Sequence, residues 1–255
     1  VGGAEDKTSK RQILERFVQE AGGRQARIAI LPTASSIPEE RATFYSHVFH
    51  QIGCAEAFHV PIVTRADADT EEHARRIVEA SGIFLTGGDQ TRLVSVLRES
   101  AAFEAIRTRL HEGGVLAGTS AGASAFSATM IVGGQGGLQL KRDAVTLGEG
   151  LGVITRLIID QHFSQRDRLG RLLSAIAQQP DRLGVGIDED TAIVYYGNGK
   201  LEVLGSGQVF VVDARKAVER GPATGTFTLT GVTLHVLTHG DRFNVVTRKL
   251  LNDEN

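Results

Sequence analysis

The 255-residue chain carries 28 Lys and Arg against 30 Asp and Glu, a formal net charge of -2, with 41% hydrophobic and 23% charged residues. That near-neutral balance excludes a bulk affinity for nucleic acid or an anionic membrane surface, and no apolar stretch approaches the roughly 20 residues of a membrane span. The single cysteine, Cys54, excludes an intrachain disulfide framework and a cysteine-rich metal site, and its expected role is a small buried thiol.

Taken in chain order, the first two-thirds alternates between two hydrophobic periods. Residues 9–21 read as a helix, with Ser9 and Gln12 forming a capping box and Ile13, Leu14, Phe17, Val18 and Ala21 sharing a face, and Gly22-Gly23 stops it. RIAIL (27–31) is a short buried strand. Residues 38–52 are expected to be helical with Phe44, Val48 and Ile52 inward, and 58–63 form the next strand. Asp69 or Thr70 caps a helix running to about Ala80, GIFL (82–85) is a strand, and helices follow at 90–99 and 103–112. Strand, helix, strand, helix at this spacing implies βαβ units and a mostly parallel sheet with helices on both faces.

After Val115-Leu116-Ala117 the chain reads Gly118-Thr119-Ser120-Ala121-Gly122, the G-x-S-x-G pattern of a nucleophile elbow. A serine on a sharp strand-to-helix turn needs small neighbours, and Ala121, Gly122, Ala123, Ser124 and Ala125 supply them. The N–H of Ala121, at a helix start, can donate to an oxyanion. The plainer alternative is a glycine-rich turn with Ser120 as a helix cap.

The segment 131–152 is glycine-rich and poorly periodic, and is expected to be a loop over the site. Leu157-Ile158-Ile159 forms an apolar strand leading to Asp160-Gln161-His162. In open parallel sheets sites lie beyond the carboxyl ends of strands, which singles out His162 from eight histidines as the base for Ser120. Its orienting acid is open at this point: Glu189, in Asp188-Glu189-Asp190 after the strand GVGI (184–187), competes with Glu149, Asp143 and Asp160. Thr86-Gly87-Gly88-Asp89-Gln90 is a second glycine-lined strand end. It reads either as a turn capped by Asp89 or as a second oxyanion donor at Gly88 with Gln90 reaching substrate. SQRDRLGRLL (164–173) places Arg166, Arg168 and Arg171 just past His162. Guanidinium forks bind carboxylates in bidentate fashion, so the cluster suggests an acidic substrate, against the alternative of a solvated basic face. Beyond Asp190, TAIVYY, KLEVLG, QVFVVD, TFTLT and VTLHVL alternate with turn residues and form a β-rich tail of antiparallel strands.

Taken together, VGGAEDK, TGGDQ, GTSAGA, DQHF and QRDRLGRL resemble the cyanophycinase family, serine peptidases related to aspartyl dipeptidase; the likeness runs over about residues 1–196. The resemblance implies a flavodoxin-like α/β sheet related to class I glutamine amidotransferases. The chain length favours a single domain over 1–255, with a doubly wound core (1–196) and the β-rich part (197–255) as an extension of it. The resemblance also implies a Ser-His-Glu triad of Ser120, His162 and Glu189, an oxyanion hole from Gly88 and Ala121, and substrate contacts at Gln90, Asp160, Gln161, Arg166, Arg168 and Arg171. The implied reaction hydrolyses cyanophycin, a poly-aspartate backbone bearing arginine on each β-carboxyl, to β-Asp-Arg dipeptides with no metal or cofactor. An isoaspartyl or Asp-specific dipeptidase and a non-catalytic anion-binding protein are the alternatives. A homodimer is implied as well. The N-terminal VGGAEDKTSK lacks the basic-then-apolar pattern of a secretory signal, so a cytoplasmic enzyme is expected. The family places an apolar strand directly before the GGAEDK segment, whereas the sequence given begins at Val1.

Overall fold

The computed structural model describes residues 1–251. The chain divides into two compact units: one spans Glu5–Ala125, and the other gathers Val1–Ala4 with the chain from Phe126 onward.

The Glu5–Ala125 unit is built on a four-stranded, all-parallel sheet. Its strands are β1 (Arg27–Leu31), β2 (Glu56–His59), β3 (Gly82–Leu85) and β4 (Val115–Gly118), in the order β2-β1-β3-β4. Residues alternate across a strand. Ile28, Ile30 and Phe84 therefore join α1 (Gln12–Glu20) and α2 (Pro38–Ile52) in one apolar cluster with Leu14, Phe17, Val18, Tyr45, Val48 and Phe49. The intervening Ala29, Ile83 and Leu85, equally buried, face the other way. There lie the capped turn α3 (Arg65–Ala68), α4 (Glu71–Val78), α5 (Gln90–Leu97) and α6 (Ala101–His111), with the single turn α7 (Ala121–Ser124) packing on α5. Helices flank both faces, as the βαβ pattern implies. Phe49 and Phe84 are fully buried and meet edge to face at 5.2 Å; truncating either to alanine costs about 3–5 kcal/mol.

Two local expectations are corrected here. The Ser9–Gln12 capping box does not form: the Asp6 carboxylate accepts the backbone N–H groups of Thr8, Ser9, Lys10 and Arg11 together with the Ser9 hydroxyl, and α1 starts only after Arg11, which sits at φ 45°. In α2 the buried face is Ala42, Tyr45, Val48 and Phe49, and Phe44 is exposed. Val48 is buried and Ile52 packs half-buried against the same cluster as expected, so only Phe44 departs, with Tyr45, whose phenol has a buried partner described below, in the core instead.

In the other unit, β5 (Thr129–Gly134) and β6 (Val145–Glu149) form an antiparallel hairpin with a bulge between Ile131 and Gly133. The segment expected to be a loop thus contributes the paired strands at both its ends, while residues 135–144 between them are irregular. β7 (Leu157–Gln161) pairs in parallel with β8 (Leu183–Ile187), and β8 pairs antiparallel with β11 (Val209–Asp213). β14 (Thr233–Leu237) completes a sheet of order β14-β11-β8-β7. α8 (Leu169–Gln178) lies on β8, burying Leu172 and Ile176 with Ile158, Phe163 and Val212. β9 (Thr191–Tyr195), β10 (Lys200–Gly205), β15 (Arg242–Asn244) and β16 (Lys249–Leu251) make an antiparallel sheet, and β12 (Val218–Arg220) pairs with β13 (Thr228–Thr230). The β-rich tail is antiparallel throughout, as its alternating pattern predicts. Cys54 is a free, buried thiol. Among the described residues no helix is long and apolar enough to cross a membrane.

Candidate active site

Within the Glu5–Ala125 unit, the strand ends of β3 and β4 carry the elbow. Ser120 has φ 52° and ψ -113°, a conformation that an L-residue holds at a cost of about 1–3 kcal/mol. Such strain persists only where the surroundings impose it. Here Thr119 N–H continues the β ladder to Leu85 O at 3.1 Å, and the Ser120 carbonyl accepts from Ala123 and Ser124 N–H at 3.0 and 3.1 Å. A β-carbon on Gly122 would lie 2.5 Å from Leu85 O, which explains the second glycine of the motif. The Ser120 side chain makes no cap to α7. The capping alternative therefore fails, and the serine needs another reason for its place. Ala121 opens α7 and is fully buried.

The Gly87-Gly88 turn lies beside the same serine. A β-carbon on Gly87 would meet Ser120 Cβ at 3.3 Å and its Oγ at 3.8 Å. Gly88 has φ +145°, and a β-carbon there would fall 2.0 Å from Ala34 O, so no other residue fits. Asp89 N–H donates to Ala34 O at 2.9 Å, and the Asp89 carboxylate caps α5 by accepting from Thr91 and Arg92 N–H. Capping and the glycine turn coexist: the cap fixes Gln90 as the first residue of α5.

Within the other unit, β7 delivers His162 and β8 delivers Asp188-Glu189-Asp190. His162 Nδ1 lies 2.5 Å from Glu189 Oε1. This geometry singles out Glu189 among the four candidate acids as the imidazole's partner. Asp188 accepts instead from Ser164 and Gln208 N–H, and Asp160 is engaged by arginines. His162, like Ser120, sits at positive φ (47°). Its N–H donates to Gly2 O at 2.8 Å, and Gly3 O accepts from Asp190 N–H at 2.9 Å. Gly3 has φ +104°, and a β-carbon on it would stand 2.6 Å from the imidazole Nε2. Burial lowers the His162 pKa; the Arg166 and Arg168 charges push the same way, and the Glu189 hydrogen bond and charge oppose them. The net shift is downward, which favours the neutral imidazole, and the carboxylate beside Nδ1 favours the tautomer that carries its proton there.

The three arginines differ. Arg171 forks onto Asp160, with Nε 2.7 Å from Oδ2 and Nη2 2.5 Å from Oδ1. Arg168 reaches Asp160 Oδ1 at 3.3 Å and Gln161 O at 2.5 Å. Asp160, Gln161, Arg168 and Arg171 are all buried. Burial pulls the Arg168 pKa down to about 10, which still leaves it charged at neutral pH. Arg171 also donates to Gly134 O at 3.0 Å, tying the cluster to the β5–β6 hairpin. Two guanidiniums against one carboxylate leave the cluster a net positive charge. Arg166, in a short 3-10 turn, is exposed.

Sequence reasoning assigned no role to several residues that the structure makes prominent. Gly2 and Gly3 line His162, and a doubled glycine ahead of a charged run was their available signal. Glu5 is buried, its carboxylate accepting from Thr119 Oγ1 at 2.6 Å and Tyr45 Oη at 2.5 Å, with Lys7 Nζ at 3.2 Å.

A parallel α/β sheet carrying a serine in this strained strand-to-helix turn, with a carboxylate-held histidine on the same chain, has the parts of a serine hydrolase. The profile of peptidase family S51 matches residues 1–203. The chain is 42% identical to a cyanophycinase of Trichormus variabilis, over 98% of this chain and 86% of that one. It is 41% identical to a cyanophycinase of Synechococcus elongatus, over 98% and 79%. Among solved structures it resembles a peptidase from an acI-B1 Actinobacterium, with a TM-score of 0.68, 25% identity, and coverage of 95% of this chain and 94% of that one. The chain belongs to peptidase family S51 and is a serine peptidase.

Proposed function

We propose that the chain hydrolyses cyanophycin to β-Asp-Arg dipeptides through a Ser120-His162-Glu189 triad. The observation that carries the substrate is the likeness to cyanophycinases, 42% and 41% identical over 98% of the chain. The triad draws support from the strain at Ser120 and the 2.5 Å bond between His162 and Glu189.

In this reading, Ser120 Oγ attacks the aspartyl backbone carbonyl while His162 Nε2 takes its proton. Glu189 holds the imidazole in the tautomer that leaves Nε2 unprotonated, and stabilises the imidazolium that forms. The Gly88 and Ala121 N–H groups receive the developing oxyanion, each donor of this kind being worth about 10²–10³ in kcat. Collapse of the tetrahedral adduct breaks the C–N bond, and His162 returns its proton to the departing amine. Water then attacks the Ser120 ester by the same route, releasing the dipeptide and restoring the serine. Gln90 and Gln161 meet the substrate amide groups. Arg166 and the net positive Asp160-Arg168-Arg171 cluster attract substrate carboxylates.

The test is incubation of the purified protein with insoluble cyanophycin, followed by assay of soluble β-Asp-Arg. Release by the wild type and none by Ser120→Ala is the expected result. A wild type that leaves the polymer intact yet cleaves a small isoaspartyl dipeptide overturns the substrate assignment. Release undiminished in Ser120→Ala overturns the nucleophile.

A further inference from the structure

The mechanism leaves unused a fully enclosed carboxylate, Glu5, adjacent to the elbow. Its Oε2 accepts from the Thr119 hydroxyl at 2.6 Å, and its Oε1 from the Tyr45 phenol at 2.5 Å. Lys7 Nζ stands 3.2 Å from Oε1 and donates to the Glu5 carbonyl at 2.8 Å. Burial pushes the Glu5 carboxyl up, but the Lys7 charge and the two hydroxyl donors outweigh it, and the group lies below its usual range. Tyr45 moves the opposite way, held protonated by burial and by the Glu5 charge. Both hydroxyls therefore donate into one ionised acceptor, which is the stronger class of hydrogen bond.

Thr119 immediately precedes Ser120, and all three of its polar groups are engaged. Its N–H donates to Leu85 O at 3.1 Å, its carbonyl accepts from Gly122 N–H at 2.9 Å, and its hydroxyl is fixed on Glu5. A β-branched side chain has few χ1 choices, and the Glu5 bond selects one. Glu5 in turn is anchored through Tyr45, whose ring packs on Phe84 of β3 at 4.7 Å. A line of contacts thus runs from the apolar core through Tyr45, Glu5 and Thr119 to the residue before the strained serine.

We propose that Glu5 is a positioning residue for the nucleophile: by holding the Thr119 hydroxyl it fixes the Thr119–Ser120 peptide and so maintains the backbone conformation of Ser120. The proposal rests on Ser120 being the nucleophile. It assigns Glu5 and Thr119 no contact with substrate, so their loss acts on kcat and leaves KM in place.

Thr119→Val removes the donor at nearly constant volume, and Glu5→Gln replaces one acceptor oxygen by a donor. Each is expected to lower kcat by about 10- to 100-fold, the scale of a small misplacement of a reacting atom, with KM nearly unchanged. Thr119→Ser, which keeps the hydroxyl, restores most of kcat. Tyr45→Phe removes a donor from the same carboxylate but away from the elbow, and at a comparable drop in Tm retains more kcat than Thr119→Val. The steady-state constants are measured on whichever of cyanophycin or an isoaspartyl dipeptide the wild type cleaves, with Ser120→Ala beside them. If Thr119→Val keeps wild-type kcat, or if kcat falls across all variants in proportion to Tm, the positioning role is overturned. If Ser120→Ala itself still turns over, the nucleophile assignment beneath it fails instead.

Discussion

Gly3 is in van der Waals contact with the imidazole of His162: a β-carbon there would stand 2.4 Å from Cε1 and 2.6 Å from Nε2. Real non-bonded carbons do not approach so closely, so even a methyl group must move either the ring or the Gly3 backbone. The backbone is itself held, since Gly3 O accepts from Asp190 N–H and Gly2 O from His162 N–H. The ring is the part that yields, and with it the Nε2 that takes the serine's proton in the proposed mechanism. Gly3→Ala is expected to lower kcat by about 100-fold or more, as befits a displaced general base. Its φ of +104° adds backbone strain, so Tm falls too. Wild-type kcat in Gly3→Ala would show that the ring has room to move.

The pH dependence follows from the His162 environment. Burial, with the Arg166 and Arg168 charges, holds its pKa below the ordinary histidine value, against the pull of Glu189. As the proposed general base His162 works unprotonated, so activity is expected to be lost as pH falls through that lowered pKa, with the acid limb of kcat/KM below about 6.5. Arg166→Ala removes a repelling cation, which raises the His162 pKa and moves the limb to higher pH. Because Arg166 is exposed, added salt shrinks that displacement. Glu189→Gln removes the charge that favours the imidazolium and leaves only a neutral amide acceptor or a donor at Nδ1, moving the limb lower and dropping the plateau by about 10²- to 10⁴-fold. A pH–rate series on the three proteins checks all of this, and limb shifts of the opposite sign contradict it.

Asp160 and Arg171 set the stability of the strand end that carries His162. The carboxylate is buried and takes two of its bonds from the Arg171 fork. Removing Arg171 takes away both bonds of the fork and leaves the carboxylate with Arg168 alone, at 3.3 Å, so the loss approaches that of breaking a buried pair, about 3–5 kcal/mol. Arg171→Ala should therefore lower the urea midpoint strongly, while Arg171→Lys, which keeps the charge but not the fork, falls between it and wild type. Exposed Arg166→Ala should leave the midpoint nearly unchanged. Equal midpoints for Arg171→Ala and Arg166→Ala would mean that the buried pair contributes nothing.

These contrasts show where the sequence was readable. Short apolar runs ended by glycine or proline marked β1, β3 and β4, and G-x-S-x-G marked Ser120, because local sterics alone require small residues there. Spacing and chemistry did not single out the acid for His162, since Glu189, Glu149, Asp143 and Asp160 carry the same group and only folding decides which reaches Nδ1; Glu189 came from the family resemblance alone. The reading of α2 set Phe44, Val48 and Ile52 inward; Val48 is buried, but Tyr45, whose phenol has a buried acceptor far along the chain, takes the inward place expected of Phe44. Glu5 carried no local sign of burial: its partners lie 40 and 114 residues away along the chain. The β5–β6 hairpin was hidden because its glycines weaken the alternation that a strand normally shows.

Gly88 and Asp89 are adjacent, and they separate chemistry from stability. Gly88 has φ +145° and abuts Ala34 O so closely that an added β-carbon would lie 2.0 Å away. Gly88→Ala must therefore rotate or lift the turn and carry its N–H away from the proposed oxyanion position. Loss of one such donor is expected to lower kcat by about 10²–10³. Asp89 acts through its side chain, which accepts from Thr91 and Arg92 N–H at the start of α5. Asp89→Ala removes that cap and lowers Tm modestly, leaving the Gly88 N–H where it is and kcat largely preserved. Asp89→Asn, also a good cap, should recover the lost Tm. Steady-state kinetics and thermal melts on the three variants make the comparison. If Gly88→Ala kept its kcat while Asp89→Ala lost its own, the donor assigned to Gly88 would have to be withdrawn, and the turn would matter only through the helix it starts.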